Sequence, residues 1–329
     1  MRKLVCYGVR GVEIPFFHRL NTFNYQLTLV EDFLNAETVG LAKGANAVMI
    51  RGNCQANEEN LRTLSTFGVD TVLTRTVGKN HINISVANEL GLRLAYVPAY
   101  SPNAIAELAV TLAMMQLRHT ALMTSQSAQF NFSVTDSMFS KEVRNCTVGI
   151  LGVGKIGATA AKLFAGLGAK VIGYDPYPNT LYENVVEFQS FEEVMRHSDI
   201  VSIHIPYIPG VNAGMINKTV LALMKEDAIL INTSRGELVV EEDVYDALVE
   251  NKLQSFASDV VQREASVFFK KRDPQECSEI IQKLTNLYPR VLLTPHIGSY
   301  TDEALTNMIE ISYQNYHDYL TTGECKNKI

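Results

Sequence analysis

Short apolar runs, separated by amphipathic segments and polar links, recur along the first hundred residues. Five of these runs predict β-strands, at residues 4–9, 26–30, 47–50, 72–74 and 94–97. Because helical patterns separate the runs, their order is typical of an α/β domain with a parallel sheet. None of the links carries a glycine-rich turn, so this part of the chain is not predicted to bind a nucleotide phosphate.

A boundary follows at the Tyr100-Ser101-Pro102-Asn103 stretch. Ser101 can cap a helix, and Pro102 suits the first helical position. The spacing of apolar residues then predicts a helix to about residue 119, with a stripe typical of a core or of a subunit interface. The stripe comprises Ala106, Ala109, Val110, Ala113, Met114 and Leu117. We interpret it as structural rather than as part of a ligand site.

A second series of strand candidates lies at residues 148–151, 170–174, 200–205, 228–232, 256–258 and 291–293. Helical segments between them predict a doubly wound sheet. A last helix is predicted after Thr301, a suitable N-cap, with acidic residues in its first turn. This helix can return to the first domain. Residues 1–100 and 299–329 would then form one discontinuous domain around an inserted domain at residues 101–298.

The stretch from Thr147 to Asp175 joins a strand, a glycine-rich turn, a helix and a second strand. Gly152, Gly154 and Gly157 have the spacing G-x-G-x-x-G. The first glycine permits a tight turn, the second lets the backbone approach a pyrophosphate, and the third lets the helix lie close to the strand. Since a helix N-terminus attracts phosphate, this order of elements predicts a dinucleotide site. A glycine-rich turn that binds nothing explains less of the pattern.

Asp175 lies 18 residues after Gly157, where a carboxylate can accept hydrogen bonds from an adenosine ribose. Its negative charge would repel a 2′-phosphate, and its neighbours Tyr174 and Pro176 offer no basic side chain. The sequence therefore predicts NAD rather than NADP. The predicted fold class is α/β, with two Rossmann-like doubly wound parallel-sheet domains, the nucleotide domain being inserted into a discontinuous, flavodoxin-like substrate domain.

Composition narrows the class of partner. The chain has 329 residues, of which 47% are hydrophobic, and is long enough for two cores. The net charge is −6 and the basic residues are scattered, which disfavours nucleic acid and an anionic membrane as partners. Five dispersed cysteines show no metal-ligand spacing and indicate reduced thiols in a cytoplasm. No run approaches about 18 uncharged apolar residues, so no membrane-spanning helix is predicted. A small-molecule partner and no metal are predicted.

Polar residues follow four strands of the predicted nucleotide domain, where ligands bind in such sheets. They are His204 and Pro206, Asn232 to Arg235, Asp259, and Pro295 with His296. Arg235, Glu264 and His296 lie at or beyond three successive strand ends, and their spacing is too wide for a local structural motif. Singly, each could be an ordinary surface or turn residue. As an ordered set on one sheet edge, they predict an active site.

Taken together, these motifs resemble the D-2-hydroxyacid dehydrogenases, in the D-lactate dehydrogenase branch. Nearly the whole chain takes part: the Arg75-Thr76-Val77-Gly78 loop, residues 100–107, the glycine turn with Asp175, His204-Ile205-Pro206 and the three catalytic stretches. The resemblance implies NAD-dependent interconversion of a 2-oxo acid and its (R)-2-hydroxy acid. Arg235 would hold the substrate carboxylate and polarise the ketone, His296 would transfer the proton, and Glu264 would orient the imidazole and favour its charged form.

The same resemblance implies roles for other residues. Backbone amides near Lys155 and Ile156 would bind the pyrophosphate. The nicotinamide half would be surrounded by His204, Pro206, Asn212, Thr233, Ser234, Arg235 and Asp259, with Asp259 at the carboxamide. The backbone of Val77 and Gly78 would bind the substrate carboxylate, Tyr100 and Tyr300 would line the pocket, and catalysis would require closure of the cleft. A homodimer that uses the helix after Pro102 is also implied.

Substrate choice depends on Arg51, which follows the strand candidate at residues 47–50. In the D-lactate dehydrogenase branch the matching position lies over the substrate side chain and is commonly an uncharged aromatic residue. An arginine there suggests a second carboxylate, and the chain is then similar to (R)-2-hydroxyglutarate dehydrogenases, which reduce 2-oxoglutarate. Two alternatives stay open. Arg51 could be a solvated strand-end residue in an enzyme for D-lactate or another 2-hydroxy acid, or the chain could be a non-catalytic NAD-sensing module.

Overall fold

Two parallel sheets form in the computed structural model, which describes residues 1–329 except for the side chain of residue 265. The chain divides into two units. The first comprises Met1–Ser101 and Tyr300–Ile329, and the second comprises Pro102–Ser299. Among the described helices, none has both the length and the apolar character needed to cross a membrane.

Five strands form the sheet of the first unit: β1 (Lys3–Cys6), β2 (Gln26–Leu29), β3 (Ala47–Ile50), β4 (Thr71–Thr74) and β5 (Arg93–Ala95). Their order is β2-β1-β3-β4-β5, the flavodoxin-like arrangement. Every residue of β3 and β4 is buried, as expected of central strands that are covered on both faces. The helices of this part of the chain are α1 (Ile14–Arg19), α2 (Glu58–Thr66) and α3 (Ile84–Glu89).

Seven strands form the sheet of the second unit: β6 (Thr147–Leu151), β7 (Lys170–Tyr174), β8 (Glu187–Phe188), β9 (Ile200–Ile203), β10 (Ile229–Asn232), β11 (Ser255–Ser258) and β12 (Val291–Leu293). Their order is β12-β11-β10-β9-β6-β7-β8. This is the Rossmann order with one further strand, and its direction of winding reverses between β6 and β9. A ligand is therefore expected at the carboxyl ends of these two strands.

Helices of the second unit cover both faces of that sheet. They are α4 (Pro102–Leu117), α5 (Thr120–Ser127), α6 (Lys155–Gly166), α7 (Phe191–His197), α8 (Lys218–Leu221), α9 (Glu241–Val249) and α10 (Glu279–Asn286). The apolar stripe of α4 packs with α6 and the sheet in one core. Three of its members, Ala106, Ala109 and Ala113, are fully buried there. This face of α4 is thus structural, as its spacing predicts.

The last helix, α11 (Asp302–Thr322), belongs to the first unit. Thr301 caps it by accepting a hydrogen bond from the amide of Ala304. The helix lays Ile309, Tyr313 and Tyr316 against one face of the five-stranded sheet, in a core that β1 also lines. The discontinuous chain path of this unit follows from that contact.

Strand ends are the main difference from the sequence-based expectation. The apolar run at residues 4–9 predicts a longer strand, but β1 ends at Cys6 because Gly8 turns the chain with a φ of +66°. The amides of Gly8 and Val9 then donate to the loop carbonyls of Asp32 and Val30. Strand β8 has only two residues and no apolar run, so the hydrophobic pattern does not predict it.

Candidate active site

The glycine turn between β6 and α6 has little room for side chains where glycine stands. Gly152 has a φ of +89°, and a Cβ there would lie 2.8 Å from the backbone of His204. A Cβ on Gly157 would overlap the carbonyl oxygen of Gly152, so α6 lies directly against the turn. Gly154 is the opposite case, because no atom lies within 4 Å of a Cβ built on it. Atoms are therefore closely packed around Gly152 and Gly157, while the space beside Gly154 at the start of α6 is open.

That open position is suited to a pyrophosphate. Gly154 is the N-cap of α6 and offers no side chain to the first-turn amides of Lys155 and Ile156. An anion placed there meets backbone donors and the positive end of the helix dipole. Asp175 lies at the end of β7, and its two carboxylate oxygens accept hydrogen bonds from the amides of Val153 and Tyr177, each at 2.9 Å. Asp175 thus also fixes the glycine turn, a role that the spacing alone does not predict.

Two buried polar atoms at the strand ends fit the rest of a dinucleotide. Nδ1 of His204 and Oγ1 of Thr233 have no hydrogen-bond partner among the described residues. The other ring nitrogen of His204 lies 2.9 Å from Oγ of Ser202, and burial lowers the pKa of His204 to about 4. Unpaired buried polar groups are costly in a folded chain, so these two indicate a polar ligand. The residues present therefore fit NAD.

The loops next to these atoms are held by their own polar side chains. The amide group of Asn212 donates to the carbonyl of Pro206 and accepts from the amide of Ile208, which closes the loop after β9. The hydroxyl of Ser234 donates to the carbonyl of Ile205. Asn212 and Ser234 therefore shape the predicted nicotinamide region through the backbone.

Asp259 has a role that the sequence does not predict. Its carboxylate accepts hydrogen bonds from Oγ1 of Thr294 at 2.6 Å and from the amides of Ile297 and Gly298, each at 2.8 Å. Burial raises the pKa of Asp259, and these three donors oppose that rise. Both carboxylate oxygens thus engage the turn after β12, where His296 stands. The sequence signal for this role is an acidic residue that directly follows a predicted buried strand.

His296 and Glu264 form a hydrogen-bonded pair within the second unit. Nδ1 of His296 lies 2.8 Å and 2.9 Å from the two carboxylate oxygens of Glu264. A carboxylate can only accept here, so Nδ1 carries a proton and Nε2 is the nitrogen left for proton transfer. Both side chains are partly exposed.

The backbone adopts a left-handed conformation at His296 and at the residue directly before Glu264. His296 itself has a φ of +53°, and Arg263, directly before Glu264, has a φ of +52°. Such conformations are unfavourable for residues other than glycine and are maintained only where surrounding contacts impose them. The amide of His296 donates to the carbonyl oxygens of Asp259 and Thr294, which supplies that constraint.

Arg235 lies on the loop after β10, against the segment that leads to Glu264. Asn232 orders this loop, because its side chain donates to the carbonyl of Arg235 and accepts from the amide of Ser234. A Cβ on the next residue, Gly236, would overlap the backbone of Val261. The Arg235 loop and the Glu264 loop are therefore packed backbone to backbone.

Glu241 supports the same packing from the start of α9. Its carboxylate accepts a hydrogen bond from the amide of Gln262 at 2.7 Å, and the side chain of Gln262 donates to the carbonyl of Val239. Burial raises the pKa of Glu241 to about 7, and the charges of Glu242 and Glu237 add to the rise, while the Gln262 amide opposes it. This buried acid has no counterpart among the residues predicted from the sequence.

Apart from Arg235, the predicted substrate residues belong to the first unit: Arg51, Val77, Gly78, Tyr100 and Tyr300. Val77 is exposed, and the carbonyl of Gly78 accepts a hydrogen bond from the hydroxyl of Thr76. Tyr100 and Gly78 are half-buried. The Val77-Gly78 backbone thus lies in an exposed loop closed by Thr76.

Arg51 is part of a charged cluster, which we call the arginine cluster and define as Arg10, Arg51, Arg75 and Glu13. The guanidinium of Arg51 donates to the carbonyl of Gly8 at 3.4 Å and lies 4.0 Å from the Glu13 carboxylate. The sequence predicts Arg51 as a site residue but predicts none of the other three, because their positions are far apart in the chain.

Comparison with known proteins identifies the family of this chain. A family model described as "D-isomer specific 2-hydroxyacid dehydrogenase, NAD binding domain" matches residues 110–298. Over 332 residues the chain is 36% identical to a D-2-hydroxyacid dehydrogenase (NAD(+)) of Clostridioides difficile, with 99% of both chains covered. It is 34% identical to an aromatic 2-oxoacid reductase of Clostridium sporogenes, over 99% of this chain and 98% of the relative.

Solved structures lead to the same family. The NAD-complexed form of the D-isomer specific 2-hydroxyacid dehydrogenase from Lactobacillus delbrueckii ssp. bulgaricus has a TM-score of 0.87 to this chain at 32% identity, with 99% of each chain covered. The predictions of two parallel-sheet α/β domains, of NAD as cofactor and of an oxidoreductase are confirmed. The chain belongs to the D-isomer specific 2-hydroxyacid dehydrogenases and is an NAD-dependent enzyme of that family.

Proposed function

We propose that this enzyme interconverts 2-oxoglutarate and (R)-2-hydroxyglutarate. The observation that carries the proposal is the position of Arg51 at the end of β3, in a group of arginines with a single carboxylate. A five-carbon dicarboxylic 2-oxo acid has one carboxylate next to the ketone and a second at the far end of its chain. We assign the first to Arg235 and the second to Arg51.

The charge of Arg51 is only weakly compensated within the chain. Its side chain is 17% exposed, and its nearest carboxylate, Glu13, is 4.0 Å away. The buried Arg75 lies nearer to Glu13, at 3.3 Å, and is the better partner for that charge. A partly desolvated guanidinium without a close counterion favours a ligand carboxylate, which it can hold with two parallel hydrogen bonds.

The chemical step uses the second unit. Bound NADH supplies the hydride. Arg235 holds the substrate carboxylate and polarises the ketone, while Nε2 of protonated His296 gives its proton to the carbonyl oxygen as that oxygen gains negative charge. The C=O double bond becomes a C–O single bond, with a new C–H bond formed by the hydride and a new O–H bond formed by the His296 proton, and the imidazole becomes neutral. Glu264 accepts the hydrogen bond of Nδ1 and so orients the ring, which leaves Nε2 for the substrate.

We assign the cofactor to residues 101–298 and the substrate side chain to residues 1–100 with 299–329. The open position at Gly154, the fixed carboxylate of Asp175 and the unpaired atoms of His204 and Thr233 support the first assignment. Asp259 is assigned to positioning of the His296 turn, since its oxygens already bind that turn. Any contact with the carboxamide would come in addition.

A monocarboxylic 2-oxo acid is the competing substrate class, because one relative is an aromatic 2-oxoacid reductase. The test compares NADH oxidation with 2-oxoglutarate, 2-oxopentanoate, pyruvate and phenylpyruvate. The pair 2-oxoglutarate and 2-oxopentanoate is the decisive one, since the two acids have the same chain length and differ in the distal carboxylate. A higher kcat/KM for 2-oxopentanoate would refute the proposal.

We also propose a cytoplasmic homodimer. All five cysteines are free thiols, as in a reducing compartment. The exposed apolar segment, which we define as residues 130–139, has four large side chains between 72% and 87% exposed: Phe130, Phe132, Val134 and Phe139. A second copy of the chain would bury this patch, whereas the apolar stripe of α4 is already used within its own unit.

A further inference from the structure

The arginine cluster has a charge imbalance that the chain does not remove. Three guanidinium groups surround the Glu13 carboxylate, which leaves a formal excess of two positive charges. Like charges brought together in a partly buried place repel each other, and the repulsion is relieved when an anion binds. Only an arginine that is accessible and keeps unused hydrogen-bond donors can bind such an anion.

Arg75 is not available. Its side chain is 3% exposed and lies 3.3 Å from Glu13. It also donates to the carbonyl oxygens of Tyr7 and Gly8, and its guanidinium carbon lies 5.0 Å from the centre of the Phe17 ring. Arg75 and Glu13 therefore form the buried base of the cluster.

Arg10 and Arg51 are the available pair. Their side chains are 34% and 17% exposed, and they lie 3.8 Å and 4.0 Å from Glu13, beyond hydrogen-bond distance. Burial lowers the pKa of Arg10, and the charge of Arg51 lowers it further. Two partly desolvated cations that face the same carboxylate from a distance retain donors for a further anion.

Tyr300 fixes the position of Arg10. The guanidinium carbon of Arg10 lies 3.8 Å from the centre of the Tyr300 ring, and the guanidinium also donates a hydrogen bond to the Tyr300 hydroxyl. A guanidinium already held by contacts to an aromatic side chain loses less conformational entropy when it binds a carboxylate. These two contacts therefore restrict the movement of Arg10, although Tyr300 is 290 residues away in the sequence.

We propose that Arg10, held by Tyr300, is a specificity-determining residue that binds the distal substrate carboxylate together with Arg51. The proposal rests on the proposed function and extends it, because it makes the dicarboxylate site a two-arginine clamp. Glu13 has the opposing role. Its negative charge lowers the formal excess of the three arginines from three to two, and one bound distal carboxylate would lower it to one.

The test measures KM and kcat for 2-oxoglutarate and for 2-oxopentanoate in Arg10→Gln. We expect the KM for 2-oxoglutarate to rise about 10-fold or more, as befits loss of one arm of a charge-assisted contact, with kcat changed by less than about 2-fold. The constants for 2-oxopentanoate should stay the same. Binding of glutarate to the NADH complex, measured by calorimetry, should weaken by the same factor.

Arg19→Gln is the matched control. Arg19 lies in the same unit and is exposed, and its guanidinium also lies over an aromatic ring, that of Phe16. The variant therefore removes the same charge and the same type of contact. Arg19→Gln should leave KM and kcat unchanged for both substrates. Arg10→Lys keeps the charge without the planar fork and covers the case in which Arg10→Gln does not fold. Its KM should rise for 2-oxoglutarate alone.

The outcomes separate the two proposals. If the wild-type enzyme does not prefer 2-oxoglutarate to 2-oxopentanoate, the proposed function fails. If it does prefer 2-oxoglutarate but Arg10→Gln and Arg10→Lys change neither substrate, or change both equally, the clamp is overturned and the proposed function stands. A selective loss in the Arg10 variants, with none in Arg19→Gln, supports the clamp.

Discussion

The backbone amide of His296 donates to the carbonyl oxygen of Asp259, and the Asp259 carboxylate accepts the two amides that follow the histidine. One aspartate therefore holds the turn on both sides of His296, the residue proposed to transfer the proton. The turn includes a left-handed position at His296, and the hydrogen bonds of Asp259 offset the cost of that conformation.

We expect Asp259→Asn to disturb this turn, although the two side chains have almost the same volume. The asparagine amide group is a donor where the carboxylate accepts, so at least one buried backbone amide loses its partner. The expected cost is about 1–3 kcal/mol in the free energy of unfolding. We also expect kcat to fall by about 10-fold or more, because proton transfer depends on the position of the imidazole.

Urea unfolding and steady-state kinetics measure the two effects. Asp243→Asn is the control, because the Asp243 carboxylate also accepts one backbone amide, that of Lys218, but at an exposed site. Similar kinetics in the two variants would show that Asp259 does not position the catalytic turn.

His296→Ala should nearly abolish turnover. Loss of a positioned proton donor typically lowers the rate by about 10²- to 10⁴-fold. NADH binding, followed by the fluorescence of the reduced nicotinamide, should stay intact, since no backbone atom is removed. Turnover at the wild-type rate would exclude His296 from the mechanism.

Glu241 gives a stability difference that depends on pH. Its pKa is about 7 in the folded protein against an ordinary value of 4.5, so the folded state holds a proton that the unfolded state releases. The folded protein is then penalised progressively as the pH rises from about 4.5 to about 7, and the penalty is constant above that range. Glu241→Gln keeps an acceptor for the Gln262 amide but has no charge to bury.

We therefore expect Glu241→Gln to be more stable than the wild type at pH 8, with a much smaller difference at pH 5. Urea unfolding at both pH values gives the two free energies. Glu192→Gln is the control, because Glu192 is also in the first turn of a helix but is exposed. A gain for Glu241→Gln that is the same at both pH values would contradict the assignment of the raised pKa to Glu241.

Gly8→Ala should affect both stability and substrate choice. Gly8 has a φ of +66°, and a Cβ there would lie 2.8 Å from Cδ of Arg51 and 2.8 Å from the ring of Phe33. We expect a loss of about 1–3 kcal/mol in the free energy of unfolding and a selective rise in the KM for 2-oxoglutarate.

Gly44→Ala is the control that measures the backbone cost of alanine at a positive φ without a new side-chain contact. Gly44 has a φ of +78° but no atom within 4 Å of the added Cβ, so this variant pays only the conformational cost. It should lose less stability than Gly8→Ala and keep its substrate preference. Equal substrate effects in the two variants would argue against a role for Gly8 in placing Arg51.

The proposed homodimer is tested with Phe130→Ser combined with Phe132→Ser. Light scattering after size-exclusion chromatography should show a shift toward the monomer, because the two changes remove much of the exposed apolar segment. Tyr177→Ser, at an isolated aromatic residue with 87% exposure, should leave the mass unchanged. An unchanged mass in the double variant would place any dimer contact elsewhere.

Local pattern accounts for what the sequence predicts of this protein. The glycine turn, the acid at the end of β7 and the Thr301 cap depend on residues close together in the chain, and the periodicity of apolar residues predicts the fold class. The strand ends are less predictable, because a single positive φ at Gly8 cuts short an apolar run.

Long-range contacts account for what the sequence does not predict. The arginine cluster joins Glu13 to Arg75 across 62 residues, and Arg10 meets Tyr300 across nearly the whole chain. Asp259 has the residue type of a ligand contact, but its oxygens are used on a turn 38 residues further on. Which partner a polar side chain selects depends on the sheet order, and that order is set by packing rather than by any local signal.

The path of α11 has a consequence for folding on the ribosome. Residues 1–101 emerge first with all five strands of their sheet, but one sheet face is completed by Ile309, Tyr313 and Tyr316 of this last helix. Synthesis of the entire second unit separates the two halves, so part of this apolar face lacks its α11 cover until about 200 further residues have been added. The first unit can thus be completed only after the second unit has been synthesised.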